Sequence, residues 1–570
     1  MYSLRQRVLA SLFCVTCYCN TQGQDTSGTI GHVSIAAPTA ASLGKYGDIP
    51  VGYNTGTPQV GIPLYTLQSG SLKLPISLSY HASGLKVQEK ASWVGAGWSL
   101  NAGGAITRTV IGGPDDRGVT GYTNYTNGHY SDYGYSSYQW IGGSGFGAVN
   151  GLVADDAGFY QGRKDGEPDL YFFNFAGYTG KFYFNDDRTP MLVPEQDLRI
   201  SPDLNNGTGG VGFQGFVVTT PDGVRYYFGK TGNNGGDDPI EISIPSTLTT
   251  GPAYANEAVS SWYLNKIVSA DGTDSIVLSY TAEKYSYYML SMFPITNYHL
   301  GWLLDAATID GYNVVKNFVQ GVRLSQITSA NGTVTFNRAA TARTDLSDWV
   351  GQSFVDGSNT ESYALGSIQI SDNNGFCKKD SLYYGYFHDN NAYTLNSATY
   401  GAFSLHSDAY RLRLDSVQET TCSGGLSTPP YKFSYFPELV PRNLSFGFDH
   451  WGFSNGVTTN TGVIPTYTVL FNNDITYKYG ANREPSWPAM RGGALQQISY
   501  PTGGYTRMEF EAHDTYLQYP VYTKVAKVSG AAIGYGQSGS DTGRFTTDLS
   551  ASLVDVRLSS SPSGGAAGSF

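Results

Sequence analysis

Residues 495–511 read LQQISYPTGGYTRMEFE. Ile498 and Tyr500 share one face of a first strand, and Thr506, Met508 and Phe510 share one face of a second. Between them Pro501 presets φ, while Gly503 and Gly504 permit a positive φ, so the stretch reads as a β-hairpin. The same frame recurs upstream: LNKIVSADGTDSIVLSY at 264–280, LSQITSANGTVTF at 324–336, and LDSVQE, a longer loop and PPYKFSY across 414–435. In each, Leu-x-x-Ile/Val leads into a polar turn and then an alternating strand that ends on an aromatic residue. The fold class that follows is all-β, built of antiparallel hairpin-rich sheets with very little helix. Its assembly is a sandwich, or shell-like or propeller-like.

Composition agrees with that reading. Charged residues make up 14% of the 570, against roughly 25% in ordinary globular proteins. The chain holds 71 Gly and 44 Tyr, which suits a turn-rich β protein from outside the cell. The net charge of −11 is spread without runs and no basic stripe exists, which argues against nucleic acid as a partner. The N-terminus reads as a secretory signal. Arg5 and Arg7 precede an apolar run at 8–19, and Thr21 and Gly23 place cleavage between Gly23 and Gln24. That run is too short for a transmembrane helix, and no later stretch qualifies. Lipid attachment at Cys14, Cys17 or Cys19 ranks second, because none has a small residue at −1 with Leu at −3. Cleavage leaves Cys377 and Cys422. Export allows them to pair, and two buried free thiols are the competing reading.

Working outward from the hairpin, strands at 60–67 and 72–80 flank a turn at Gln68-Ser69-Gly70. Residues 92–108 (SWVGAGWSLNAGGAITR) carry glycines within a strand pattern, which signals bulges or close backbone approach. Aromatic hairpins follow at 165–185, turning at 177–180, and at 216–229, turning at Pro221-Asp222-Gly223. Short helices are expected only at 299–308 and 344–354. The domain reading is a signal peptide at 1–23, a flexible leader at 24–42, and an N-terminal β domain at 43–260 with a Tyr/Gly-rich insertion at 113–162. A hairpin-repeat domain at 261–514 and the start of a further β unit at 515–570 complete it. The closing SSSPSGGAAGSF suggests the front part of a longer protein.

Catalytic signatures are weak. Gly207-x-Gly209-x-x-Gly212 matches a dinucleotide fingerprint by letter but precedes a β-type run, so it reads as a loop. Gly97-Trp98-Ser99-Leu100-Asn101 fails as a nucleophile elbow at its last position. No HExxH or Cys/His metal spacing is present. Asp449-His450-Trp451 is the most enzyme-like cluster, yet adjacent strand residues face opposite sides, so it reads as structural: a turn residue and half-buried rings. Asp237, Asp238 and Glu241, and Asp115 with Asp116, are oxygen-rich but lack the alternation of a calcium loop. The candidate ligand-facing aromatics are Tyr122, Tyr125, Tyr130, Tyr133, Tyr135 and Trp140, a potential sugar-stacking face. A packed loop over a sheet edge is the stronger reading. No cofactor and no catalytic residue is assigned.

Six segments in collinear order resemble the N-terminal region of secreted Rhs/YD-repeat proteins of the Bacteroidetes type. They lie at 43–65, 74–108, 165–175 (DGEPDLYFFNF), 449–456 (DHWGFSNG), 481–485 (ANREP) and 500–511 (YPTGGYTRMEFE). The G-x-G-W…I-x-R element at 95–108 is also similar to the opening domain of insecticidal toxin-complex B components. The resemblance implies a front region that is not itself catalytic. It implies a downstream YD-repeat shell and an effector, often a toxin, on the same polypeptide. The YD repeats themselves, the effector and the family's aspartyl self-cleavage site are not found in these 570 residues. The expectation is a secreted or cell-surface, non-enzymatic scaffold. The alternatives are an adhesin for cell-surface glycan or protein, and a secreted hydrolase using a scattered carboxylate pair.

Overall fold

The computed structural model describes residues 57–111, 168–185, 189–204, 213–231, 237–246, 258–292, 312–349, 356–391, 407–424, 427–465, 467–471 and 475–512. The signal peptide with its Gly23/Gln24 cleavage point, the leader, the insertion with Tyr122–Trp140, Asp115/Asp116, the Gly207 loop, the helix expected at 299–308 and residues 515–570 lie outside them. The chain divides into two compact units, Met1–Pro465 with Gly480–Phe510, and Thr466–Tyr479 with Glu511–Phe570.

The first unit opens with a three-stranded antiparallel sheet of β1 (Gln59–Ser69), β2 (Leu72–His81) and β3 (Trp98–Asn101). Alternation decides its faces: Leu72, Leu74, Ile76, Leu78 and Tyr80 of β2 are all buried. Between β2 and β3, Gly95 and Gly97 have φ of +108° and +74°. A Cβ on Gly95 would sit 2.9 Å from the Leu414 backbone nitrogen, and Ala96 N donates to Leu412 O at 2.8 Å. The glycines of the GxGW element therefore permit the close backbone approach read from the sequence.

A second sheet takes in β4 (Gly104–Thr109), β5 (Leu170–Phe175), β6 (Tyr178–Phe184), β7 (Pro190–Val193), β8 (Arg199–Leu204), β9 (Phe213–Thr219), β10 (Arg225–Gly229), β11 (Ile240–Ser246) and β12 (Ala258–Val268). It continues through β13 (Ser275–Met292), β14 (Tyr312–Ser329), β15 (Gly332–Ala342), β16 (Tyr363–Asp372), β17 (Cys377–His388), β18 (Tyr410–Thr421) and β19 (Tyr431–Tyr435). In the second unit, β20 (Tyr467–Phe471) and β21 (Ile475–Tyr479) form an antiparallel pair. The large sheet resumes in the first unit with β22 (Leu495–Ser499) and β23 (Tyr505–Arg507). All of its ladder pairings are antiparallel. From β13 to β19 each strand pairs with the next, and β22 then adds to β19.

Strand β12 is where the sheet branches. Its first half pairs with β11 on one edge and β4 on the other; its second half pairs with β10 and β13. Because β11 also pairs with β14, strands β11 to β14 close a ring. Strand β12 also runs through the 260/261 boundary expected between two domains.

One apolar core joins both sheets, from Leu78 and Trp98 through Phe173, Phe216 and Trp262 to Leu414 and Ile498. Its densest part is aromatic. Tyr171 lies 5.0 Å from Phe182 and 6.0 Å from Trp262, and Phe216 meets Trp262 edge-on at 5.0 Å.

The described residues hold no α-helix, only short 3-10 turns at Ser407–Ala409 and Ala489–Arg491. The helix expected from Thr344 is corrected: residues 344–349 form a turn and a bridge of Ser347 to Ser286 and Ser358. Asp345 spends its carboxylate on Arg343 and on Leu412 N there, which ties the segment to β18 rather than to a helical repeat. The hairpin at 165–185 turns at Ala176 and Gly177, two residues tighter than read, and Gly180 lies inside β6. In the 495–511 hairpin, Gly503 takes a φ of +89° and Ile498 opposes Thr506. The second strand ends at Arg507. Met508 then turns into the core while Thr506 stays exposed, so they do not share a face.

Candidate functional site

The enzyme-like cluster is architectural. Asp449 is buried at a turn, not on a strand. Its Oδ1 accepts N–H groups of Trp451 and Phe453 at 2.9 and 3.0 Å. Trp451 is 63% exposed, and His450 is exposed beside it. Asp237, Asp238 and Glu241 do not converge: Asp237 accepts from Ala282 N, Asp238 pairs with Lys230 at 3.1 Å, and Glu241 is buried on β11. Among the described residues no three His, Cys, Asp or Glu groups are placed to hold a metal ion. Cys377 and Cys422 form a disulfide across β17 and β18, with Cα atoms 5.6 Å apart.

Segments far apart in sequence meet through buried cations. Arg108 of β4 donates to Val259 O at 2.9 Å, lies 3.5 Å from Asp169, and stacks on Trp262. The I-x-R element thus locks onto the DGEPDLYFFNF segment. Arg483 of ANREP donates to the Asp449 and Val463 carbonyls and lies 4.0 Å over the Phe448 ring. Trp98 Nε1 donates to Tyr435 OH at 2.9 Å, and Leu495 N donates to Tyr80 OH at 2.9 Å.

A cavity of about 600 Å³ lies where the small sheet meets the ring. That is within the range of small-molecule sites, about 300–1,000 Å³. One wall is the sheet's polar face. Asn101 Nδ2 donates to Ser79 Oγ at 3.0 Å and to Ser77 Oγ at 3.4 Å, and Ser79 shares a hydrogen with Ser99 at 2.8 Å. Strands β2 and β3 bring these groups together because Ser77 opposes Asn101 in their register. A second wall is the β5–β6 turn, with Asn174, Phe175 and Thr179 beside exposed Ala176 and Gly177. The third wall is the ring: Tyr263 on β12, Tyr280 and Glu283 on β13, and Arg323 on β14.

The electrostatics of the ring wall are distinctive. Burial pushes the Glu283 carboxyl up to about 7, against the pull of Arg343, a Ser362 hydrogen bond and Arg323; Glu241 adds to the rise. Burial also holds the Tyr263 and Tyr280 hydroxyls protonated well above the usual tyrosine range. Tyr263 OH donates to Glu241 Oε2 at 3.2 Å, and Tyr280 OH donates to Leu264 O at 2.6 Å. Their rings lie 5.7 Å apart. Near neutrality this wall presents aromatic surface and a carboxyl able to donate as well as accept. A raised carboxyl in a cavity is the usual mark of a functional site, and also of a buried network.

None of these residues stood out in the sequence. Glu283 sits in TAEKYSYY, an ordinary alternating strand. The available signal was length: β13 runs 18 residues to Met292, far beyond the usual 5–6 and beyond the expected end at Tyr280.

No family model matches the chain, and no curated protein matches it. Among solved structures, the N-terminal domain of effector protein SpvB from Salmonella typhimurium strain LT2 aligns with 64% of this chain and 98% of that one. The identity is 10% and the TM-score 0.25, a weak structural likeness that carries no argument about function.

Proposed function

We propose that the chain is a non-enzymatic scaffold: the N-terminal part of a secreted Rhs/YD-repeat protein, serving a toxin-encapsulating or cell-surface delivery assembly. Its partners are the downstream repeat shell and effector of the same polypeptide. The observation that carries this reading is the ladder. The hairpins legible in the sequence are hydrogen-bonded edge to edge, from β13 through β19 to β22 and β23. Each added hairpin covers the edge of the one before, which is how a β wall grows. The segments that resemble the family are joined to one another outside this ladder: Arg108 to Asp169, and Arg483 to the Asp449 carbonyl.

Two measurements test the reading. The purified protein is expected to be inert across broad glycan and peptide substrate panels; turnover abolished by Glu283→Gln overturns the non-enzymatic part. Reading the gene beyond the codon for Phe570 tests the partner. In-frame YD repeats support it, and an immediate stop overturns it.

A further inference from the structure

One charged side chain in the cavity between the small sheet and the ring has nothing to pair with. The hydroxyl and amide groups of the small sheet are spent on one another. Arg323 lines the same cavity half-buried, and it forms no hydrogen bond or ion pair with the described residues. Thr281 opposes Arg323 and Gly321 opposes Glu283, so Arg323 and Glu283 are diagonal neighbours on one face of the β13–β14 pair. Glu283 does not neutralise it at pH values below about 7. Burial keeps that carboxyl protonated there against the pull of Arg343, a Ser362 hydrogen bond and Arg323, with Glu241 adding to the rise. The neighbouring Tyr263 and Tyr285 hydroxyls are held protonated too. His81 also lines the cavity, its imidazole next to Ser83. The ring wall therefore carries one uncompensated guanidinium with an O–H donor beside it. A single guanidinium matches a single carboxylate through two parallel N–H bonds. A phosphate ester would require several cations or a run of backbone N–H groups. An ammonium ligand would meet like charge. The apolar lining left open to a ligand is Pro58, Val60, Pro75 and Tyr280, none of them fully buried.

We infer that this cavity binds a small organic acid: Arg323 holds its carboxylate, the Glu283 O–H donates a hydrogen bond to it, and Pro58, Val60, Pro75 and Tyr280 lie against a compact apolar body. This site is separate from the Tyr-rich insertion, and it does not rest on the scaffold reading.

The experiment titrates the full purified chain with benzoate and 4-methylpentanoate, following calorimetry and saturation-transfer NMR. Benzamide, 4-methylpentanamide and inorganic phosphate serve as comparisons. At least one of the two carboxylates is expected to bind at millimolar concentration, and its amide about tenfold more weakly. Arg323→Gln is expected to weaken the carboxylate about tenfold or more, the worth of a charge-assisted hydrogen bond. Arg323→Lys should fall between, because it keeps the charge and loses the fork. From pH 8 to pH 6 binding is expected to tighten about tenfold, the change in protonated fraction of a group that titrates at about 7. Glu283→Gln, whose amide also donates, is expected to bind with that pH dependence removed. Circular dichroism and melting identify any variant that fails to fold, and the amide comparison on the unmodified chain then decides.

The inference is overturned if neither carboxylate binds the unmodified chain at millimolar concentration, if the amides bind as tightly, or if phosphate binds more tightly than both. It is also overturned if a properly folded Arg323→Gln binds undiminished. A pH dependence that persists in Glu283→Gln and disappears in His81→Gln overturns the part given to Glu283 while upholding the carboxylate on Arg323.

Discussion

Strand β12 separates two regions built on opposite principles. On one side Trp262 enters a block of Tyr171, Phe182, Phe213 and Phe216, where stability comes from buried ring surface. On the other side Ser260, Ser261 and Tyr263 turn to Glu241, whose carboxylate accepts hydrogen bonds from all three. Around that ring lie Glu283, the Tyr287–Asn317 hydrogen bond and the buried Arg343–Asp345 pair. The aromatic block is held chiefly by ring burial, which carries no proton. The ring is held by groups whose worth depends on where their protons are. One strand therefore carries both a permanent joint and a titratable one.

The largest effect that would break the contrast lies in the aromatic block. Trp262→Ala is expected to cost about 3–5 kcal/mol, read as a lowered denaturant midpoint, because it opens a cavity and strips the stacking partner of Arg108. An effect below about 1 kcal/mol would mean the block is not the main support. In the ring, Asp345→Ala leaves Arg343 buried without its carboxylate and is expected to cost about 3 kcal/mol. Arg343→Met combined with Asp345→Leu should recover most of that loss. Failure to recover would mean that the bond from Leu412 N to Asp345, rather than the ion pair, does the holding.

The pH dependence sharpens the comparison further. The folded Glu283 carboxyl titrates at about 7, above its ordinary 4.5, so the native state binds the extra proton between those values. Stability contributed by the protonated form is complete below 4.5 and falls as pH rises to 7, by on the order of 1–3 kcal/mol. Asp380, raised by burial to about 6, acts in the same direction. Lys90, lowered by burial and by Arg411 to about 7, acts oppositely: its penalty is relieved as pH climbs from 7 towards 10.5. Melting temperature is thus expected to dip near neutrality. Glu283→Gln should flatten the acid arm of that dip while leaving the alkaline arm; an unchanged acid arm would remove Glu283 from the account. The smallest effect is expected outside both regions. Tyr505→Ala, at a ring 66% exposed on β23, should move stability by less than about 0.5 kcal/mol.

What the sequence revealed, and what it hid, follows the same divide. Hairpins were legible because their information is local: alternation plus a turn whose Gly takes a positive φ, as at Gly503. The aromatic strands were legible for the same reason. The branching of β12 was not, since its partners β4 and β11 come from separate parts of the chain. The cavity was not legible either. Ser77, Asn101 and Glu283 are unremarkable in their own strands and gain meaning only when the small sheet is laid against the ring. Asp449 shows the converse. Enzyme-like by letter beside His450, it reads as a turn residue and is one, its carboxylate holding backbone N–H groups, while the rings of His450 and Trp451 are exposed and not half-buried as expected.

The bond from Leu495 N to Tyr80 OH spans 415 residues, and β4 meets β12 across roughly 150. A chain made at about 5–20 residues per second needs tens of seconds before Tyr80 can meet its partner. For the first part of that interval, until β12 is made, one edge of β4 stands bare, open to any neighbouring strand. Biogenesis, not finished stability, is then the step at which this architecture is most exposed to failure.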